Sequence, residues 1–521
     1  MKTIVFKNIR LPYTAPLGEA VDIALKRARN AGIKISSPYI YKRSIDSRHR
    51  DNILFVYSVA ASCDKVNEKQ LKKTDANIEK DGWVTPTQGK ELLSARPVVC
   101  GFGPAGMFAS LLLAEQGYRP IVLERGSCVK TRAEKVENFM RTGVLDTSCN
   151  IQFGAGGAGT FSDGKLVTRI SDSACRYVFD RFVEFGAPEE IMYDAKPHIG
   201  TDKLLGIVDA ISRRVVELGG EIYYDTALRA INKTNNRVCS VVTDKGEIDC
   251  GALILAVGNS ARDTYRYLMA ENYVVEPKPF SVGVRIEHLR EDIDRAMYGD
   301  HAGDPLLGAA PYAFSKRVGE DAVYTFCMCP GGEVIAAASE ENTVVTNGMS
   351  RYARNGVNSN AAIAVSVRSD DPIAYQEALE QRGYAAGGGE YYAPCQSVGD
   401  FLDARQGVLP HRIKPTYMGG KVRAYDLNSL FERRICDMLK LGIASFDRIL
   451  PGFAVRDALL TGPETRTSAP VRITRNGDLL ALGVDNLYPS GEGAGYAGGI
   501  TSAAVDGLRC AAALISRYKR N

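Results

Sequence analysis

Pro97-Val-Val-Cys-Gly-Phe-Gly-Pro-Ala-Gly106 is followed by an apolar stretch to Gly117 and then by Pro120-Ile-Val-Leu-Glu-Arg-Gly126. The spacing predicts a strand, a glycine turn, a helix opened by Pro104 and Ala105, and a second strand ending in an acid. Each glycine has a physical task. Gly101 permits the tight turn after the strand, Gly103 lets backbone approach a pyrophosphate, and Gly106 lets the helix pack on the sheet. The helix N-terminus offers unpaired N–H groups and a positive dipole to phosphates. Glu124 lies roughly 20 residues on, where a carboxylate accepts hydrogen bonds from ribose hydroxyls, and Arg125 follows it. Both ends of a dinucleotide site are therefore present.

Three further segments point from a dinucleotide in general to FAD. Leu253-Ile-Leu-Ala-Val-Gly258 reads as an apolar strand whose end, Ala256, Val257 and Gly258, brings small residues back to the nucleotide. Tyr488-Pro-Ser-Gly-Glu492 has the form of a late flavin motif, in which an acid beside Gly491 binds a ribityl hydroxyl. Gly495-Tyr-Ala-Gly-Gly-Ile500 opens a last helix. Its N-terminus, with Tyr496, Ala497, Gly498, Gly499 and Ile500, faces the flavin pyrimidine edge and stabilises negative charge there. Between these lies Gly154-Ala-Gly-Gly-Ala-Gly-Thr160. Gly156, Gly157, Ala158, Gly159 and Thr160 are expected to run against the flavin ring, where side chains would collide with it. Leu228 joins the candidate set.

These pieces resemble a family of bacterial FAD-dependent dehydrogenases, the NAD(FAD)-utilising dehydrogenases, related in architecture to geranylgeranyl-reductase-like flavoproteins. The resemblance also rests on Lys42-Arg-Ser-Ile-Asp-Ser-Arg48, on Asn150 to Leu166, on Pro197-His-Ile-Gly-Thr-Asp202 and on Lys278 to His288. It continues with Phe326-Cys-Met-Cys-Pro-Gly-Gly332 and Gly462 to Arg472, so it covers nearly the whole chain. It implies FAD as cofactor and hydride transfer to or from an organic substrate. Two positions depart from the family pattern: Ala155 stands where an acid is usual and Asn259 where a histidine is; Glu492 departs from the aspartate of most flavoproteins.

Outside these motifs the chain is ordinary. Its 521 residues suit about three domains. Hydrophobic content of 45% and charged content of 24% are those of a globular protein. Twelve cysteines without a CxxC pair make neither a disulfide scaffold nor a zinc site, so a reduced, cytoplasmic setting is expected and no metal. No apolar run approaches the roughly 20 residues of a membrane span. Residues 1–90 carry 17 Lys/Arg against 9 Asp/Glu, a net +8 within an overall +4.

The expected fold is α/β. It comprises an N-terminal α+β plait-like domain over 1–90, a Rossmann-type FAD-binding domain from 97–272 and 446–521, and an inserted strand-rich substrate domain over 273–445. In the plait, strands are expected over 2–9, 33–42 and 52–61, with a helix capped by Thr14.

Candidates for chemistry are few. Lys165 is placed to tune the flavin by its charge, and His198 to protonate substrate. Cys327 and Cys329 share a face if their segment is a regular strand, and Cys329 is the thiol candidate. Arg466 and Arg472 form a candidate anion clamp. No second nucleotide fingerprint is present, so NADH or NADPH is a candidate transient reductant without a domain of its own. The expected partner is a small-molecule substrate, and a redox protein remains an option. Two rivals stand beside the enzyme. One is RNA binding through Lys42, Arg43, Arg48, His49 and Arg50 on the plait, with Tyr39, Tyr41, Phe55 and Tyr57 as stacking candidates. The other is a non-catalytic flavin redox sensor.

Overall fold

The structure, a computed structural model, describes residues 2–79 and 82–520. Its three largest sheets organise it. The one that decides the site has five parallel strands in the order Leu487–Pro489, Ala252–Leu255, Pro97–Cys100, Ile121–Leu123 and Glu221–Tyr223. All but the edge strand Glu221–Tyr223 are fully buried, which is why they read as apolar runs rather than alternations.

The quoted stretch forms the heart of this sheet. The helix Pro104–Glu115 has Pro at its start and is buried at every position from Ala105 to Ala114. It packs closely on the last helix, Ile500–Arg517, because Gly507 brings that backbone against the Ala105 carbonyl, where a Cβ would not fit. The helix Thr201–Glu217 covers the same face of the sheet. A three-stranded meander of Leu228–Thr234, Arg237–Thr243 and Gly246–Asp249 covers the other, together with the helix Arg262–Ala270.

The second sheet has seven strands, in the order Ser315–Val318, Asp321–Cys329, Asn358–Val367, Phe280–Leu289, Leu459–Glu464, Ala393–Ser397 and Val422–Ala424. Its ladder is antiparallel except at the last pair. The strand Leu459–Glu464 sits inside it, so the sheet reaches past the boundary expected at residue 446. The physical reason is register. Leu459 to Thr461 pair with Phe280–Leu289 on one side and Ala393–Ser397 on the other, and all six residues of the strand are buried.

The N-terminal segment folds as four antiparallel strands, Ser36–Asp46, Leu54–Cys63, Lys2–Pro12 and Ala76–Ile78 in spatial order. The helix Gly18–Asn30 packs on them through Ala20, Ala24 and Ala28. Its cap position is Leu17, with no side-chain cap bond, so Thr14 does not perform the expected task. The apolar core of this unit is continuous with that of the seven-stranded sheet. Among the described residues no helix is long and apolar enough to cross a membrane, and no group of three His, Cys, Asp or Glu is placed to hold a metal ion.

Candidate functional site

A cavity of about 320 Å³ opens at the carboxyl ends of the parallel strands, within the size range of small-molecule sites. Cys100 to Ala105 line it, with Leu123, Glu124, Arg125, Leu228 and the segment Ala256 to Ser260. Gly157 to Gly159 and Gly498 to Ile500 complete the glycine-rich wall. Phe326, Cys327 and Glu464 enter from the seven-stranded sheet, Arg466 and Thr467 from the segment just after it, and Val345 to Asn347 from the start of the strand Thr346–Met349, which belongs to a separate two-stranded sheet.

The turn is built for close approach. Gly101 has φ +98°, and a Cβ there would strike the Ala256 carbonyl oxygen. Gly106 packs against the Gly101 carbonyl, so it serves the helix–strand contact and does not line the cavity. Gly157 has φ +64°, and a Cβ on it would sit 2.9 Å from Gly103 Cα. By contrast, a Cβ added to Gly258, Gly498 or Gly499 meets no protein atom within 4 Å. That open space lies along the wall where a planar ligand needs it.

Glu124 is 4% exposed. Its carboxylate accepts from the backbone N–H of Phe102 at 2.8 Å and from those of Gly126 and Gly154 at 2.9 Å each. Sequence reasoning assigned it to ribose alone. Here it also ties the glycine turn to the 150–157 loop, with acceptor capacity left on the cavity side. Arg132 fixes the same loop from behind. Fully buried, it donates to the carbonyls of Asn150, Ile151, Gly154 and Ala155 at 2.7–3.2 Å. Burial lowers its pKa to about 10, partly offset by Glu124, so it stays charged. Nothing in the sequence singled it out, because a lone arginine on an amphipathic helix reads as solvated surface.

Glu492 faces the cavity and accepts from Asn259 Nδ2 at 2.9 Å. Burial raises its carboxyl to about 7, and the Asn259 hydrogen bond and the Lys278 charge only partly offset this. Asn259, one of the two departures from the family pattern, therefore touches the glutamate that stands in place of the usual flavoprotein aspartate. Ala155, the other, is buried and presents its carbonyl to Arg132.

Other candidates lie elsewhere. Gly156, Thr160, Gly491, Tyr496 and Ala497 do not line the cavity. Gly156 packs on Thr160, Gly491 N–H donates to Asp506 at 2.7 Å, and the Tyr496 ring lies 3.8 Å under the Arg475 guanidinium. His198 is also outside. Its Nε2 meets the Tyr352 carbonyl at 3.0 Å, and burial together with the Arg354 charge lowers it to about 4. It is neutral at physiological pH and unsuited to giving a proton there.

Lys165 does line the cavity, held by Asp163 at 2.8 Å and by the Met328 carbonyl. Arg466 is no free anion clamp. It donates to Glu380 at 3.1 and 2.8 Å, and Arg262 donates to the same carboxylate at 2.9 and 2.7 Å. Arg472 lies over Tyr496. Cys329 is buried off the cavity while Cys327 lines it. The expected shared face fails because the ladder shifts register between Phe326 and Cys329, and Cys327 takes φ +42°.

Two of the five residues of the N-terminal basic cluster are paired with carboxylates. Arg43 pairs with Asp194 at 2.8 Å and Arg48 with Asp46 at 2.6 Å, while Phe55 and Tyr57 belong to the core.

Residues 279–467 match the family described as FAD-dependent protein, C-terminal domain-like. An uncharacterised protein of Clostridium beijerinckii is 43% identical over 99% of this chain and 99% of its own. The chain belongs to this FAD-dependent family. Membership gives the cofactor that the fingerprint and the late motif had implied. Among solved structures, a geranylgeranyl bacteriochlorophyll reductase-like protein from Thermoplasma acidophilum is similar over 81% of this chain and 78% of its own, at 11% identity and a TM-score of 0.35. Glycine oxidase from Bacillus cereus is similar over 82% and 98%, at 11% identity and a TM-score of 0.32.

Proposed function

We propose that this member of the FAD-dependent family is an oxidoreductase acting on a small organic substrate in the cavity between the parallel and the seven-stranded sheets. The observation that carries the reading is the convergence of two helix N-termini on one cavity. Gly103 to Ala105 open one helix there and Gly498 to Ile500 the other. Two positive dipole ends on one wall suit a ligand with negative charge at two places, such as a diphosphate and a reduced isoalloxazine. The open space at Gly258, Gly498 and Gly499 fits the same group.

A bound flavin supplies hydride exchange at its N5. The chain's own residues do the rest. The Gly101–Gly103 turn and the N–H groups of the following helix hold the diphosphate. Glu124 offers its remaining lone pairs to ribose hydroxyls. Gly157 to Gly159 leave the ring face unobstructed. Glu492 carries a proton near neutrality at a carboxyl that faces the cavity, where it can give or take one during turnover. Lys165 keeps its ammonium charged beside that space, because the Asp163 charge and the Cys329 and Cys327 sulfurs together more than offset the cost of burial. NADH or NADPH is the proposed reductant, visiting the same cavity.

The test is an anaerobic titration of the purified protein with NADH and then NADPH, followed by flavin absorbance. Bleaching by either supports a nicotinamide-driven reductase. A yellow protein bleached by neither assigns the electrons to the substrate. A protein that takes up no FAD overturns the reading.

A further inference from the structure

We propose that Cys327 and Cys329 form a working thiol pair at the cavity, Cys327 meeting a disulfide substrate and Cys329 resolving the product. The inference deepens the flavin reading and rests on it only for the source of electrons.

The geometry is specific. One extra residue is inserted between the Phe326–Ala362 and Cys329–Asn360 pairs of the ladder, a β-bulge. Cys327 sits in it with φ +42°, a conformation uncommon outside glycine. The bulge puts Cys327 on the cavity wall and leaves Cys329 buried behind it. The Cys329 thiol lies 3.3 Å from the Cys327 carbonyl. One accessible sulfur with one shielded sulfur beside it is the arrangement that thiol–disulfide exchange requires. Buried cysteines usually only pack. Here the bulge takes Cys327 out of the packed core and onto the cavity wall.

The electrostatics agree. Lys165 and Arg354 both pair with Asp163, and Arg285 pairs with Glu464. Three cations thus face two carboxylates, leaving one positive charge for an anion. The neighbouring Cys329 thiol, acting against burial, and then the Lys165 and Arg285 charges hold the Cys327 thiol below its usual range. The cavity-facing Glu492 carboxyl is also coupled to the Cys327 charge. Across the ladder from Cys329, the buried Asn360 Nδ2 has no acceptor.

The Cys327 thiolate attacks one sulfur of R–S–S–R. A Cys327–S–R bond forms, the substrate S–S bond breaks, and RS⁻ leaves to take a proton from solvent. Cys329 then loses its proton and attacks Cys327 Sγ. The internal disulfide forms, and the second RS⁻ takes up that proton. The substrate gains two electrons and the thiol pair loses them. Two electrons and one proton from a reduced flavin would restore the Cys327 thiolate and the Cys329 thiol.

The test begins with the purified protein, reduced and desalted, alkylated with iodoacetamide from pH 6 to 8 and mapped by peptide mass. Cys327 should react at a nearly constant rate. Free N-acetylcysteine should climb about tenfold per pH unit until near its own pKa of about 8.5. Oxidised glutathione should remove two hydrogens from the 327–329 peptide of the wild type. In Cys329→Ser it should leave one glutathione on Cys327. A Cys327 rate that climbs like the free thiol, or no disulfide in the wild type, overturns the proposal. Flavin absorbance is read on the same samples. Inert thiols beside a flavin that bleaches overturn this inference alone. A reactive pair in a protein that binds no FAD overturns the flavin reading and leaves the thiol site standing.

Discussion

Glu380→Gln tests the buried charge cluster that backs the cavity. Glu380 is fully buried and accepts from Arg262, Arg466 and the Thr465 hydroxyl. Burial alone would push its carboxyl up. The Arg466 and Arg262 charges overcome that and hold it at about 2, against 4.5 for a free glutamate. A group whose folded pKa is depressed contributes stability above its unfolded value and loses it as pH falls through the folded one. The contribution is therefore full at neutral pH and disappears between about pH 4.5 and 2. At 1.36 kcal/mol per pH unit it is of order 3 kcal/mol, in line with the roughly 3–5 kcal/mol expected on breaking a buried ion pair. With about 2.1 cal/mol/K of unfolding entropy per residue, the 521-residue chain loses about 3 °C in Tm if it melts as one unit. If residues 279–467 melt alone, the shift is about 7–8 °C. Differential scanning calorimetry at pH 7 reads it. Arg368→Ala breaks the exposed pair with Glu320 and should move Tm by less than about 1 °C. A Glu380→Gln shift as small as that control would refute the reasoning.

Three further outcomes follow from the same geometry. Gly101→Ala should cost ~1–2 kcal/mol for φ +98° alone, with more from the collision at Ala256, and should purify with less flavin per protein by absorbance. Glu492→Gln should remove a pH slope. The raised carboxyl makes the wild type less stable as pH climbs from about 4.5 to 7, by up to about 3 kcal/mol, so the wild-type minus variant difference in Tm should change across that window and stay flat above it. Lys165→Met takes away one of the cations beside Cys327 and should steepen the Cys327 alkylation profile between pH 6 and 8.

What the sequence by itself determined was the local geometry of the glycine-rich cavity wall. Gly101, Gly103, Glu124, Gly258 and Gly498 to Ile500 stand in fixed short spacings, because a tight turn, a helix N-terminus and a strand-end acid are each built from a few consecutive residues. Family membership was legible for the same reason. The tertiary structure alone decided which side chains reach the cavity from far along the chain. Cys327 enters through a bulge set by its ladder with residues 358–367, which no local pattern records. Arg466 leaves the list of free cations because Glu380, on a distant helix, claims it. Glu492 is held near neutrality by burial, and His198 becomes neutral for the same reason. Leu459–Glu464 belongs to the seven-stranded sheet because both of its neighbours come from elsewhere in the sequence. Burial, cross-strand register and charge pairing are sums over residues distant in sequence, so they exist only once the chain has folded.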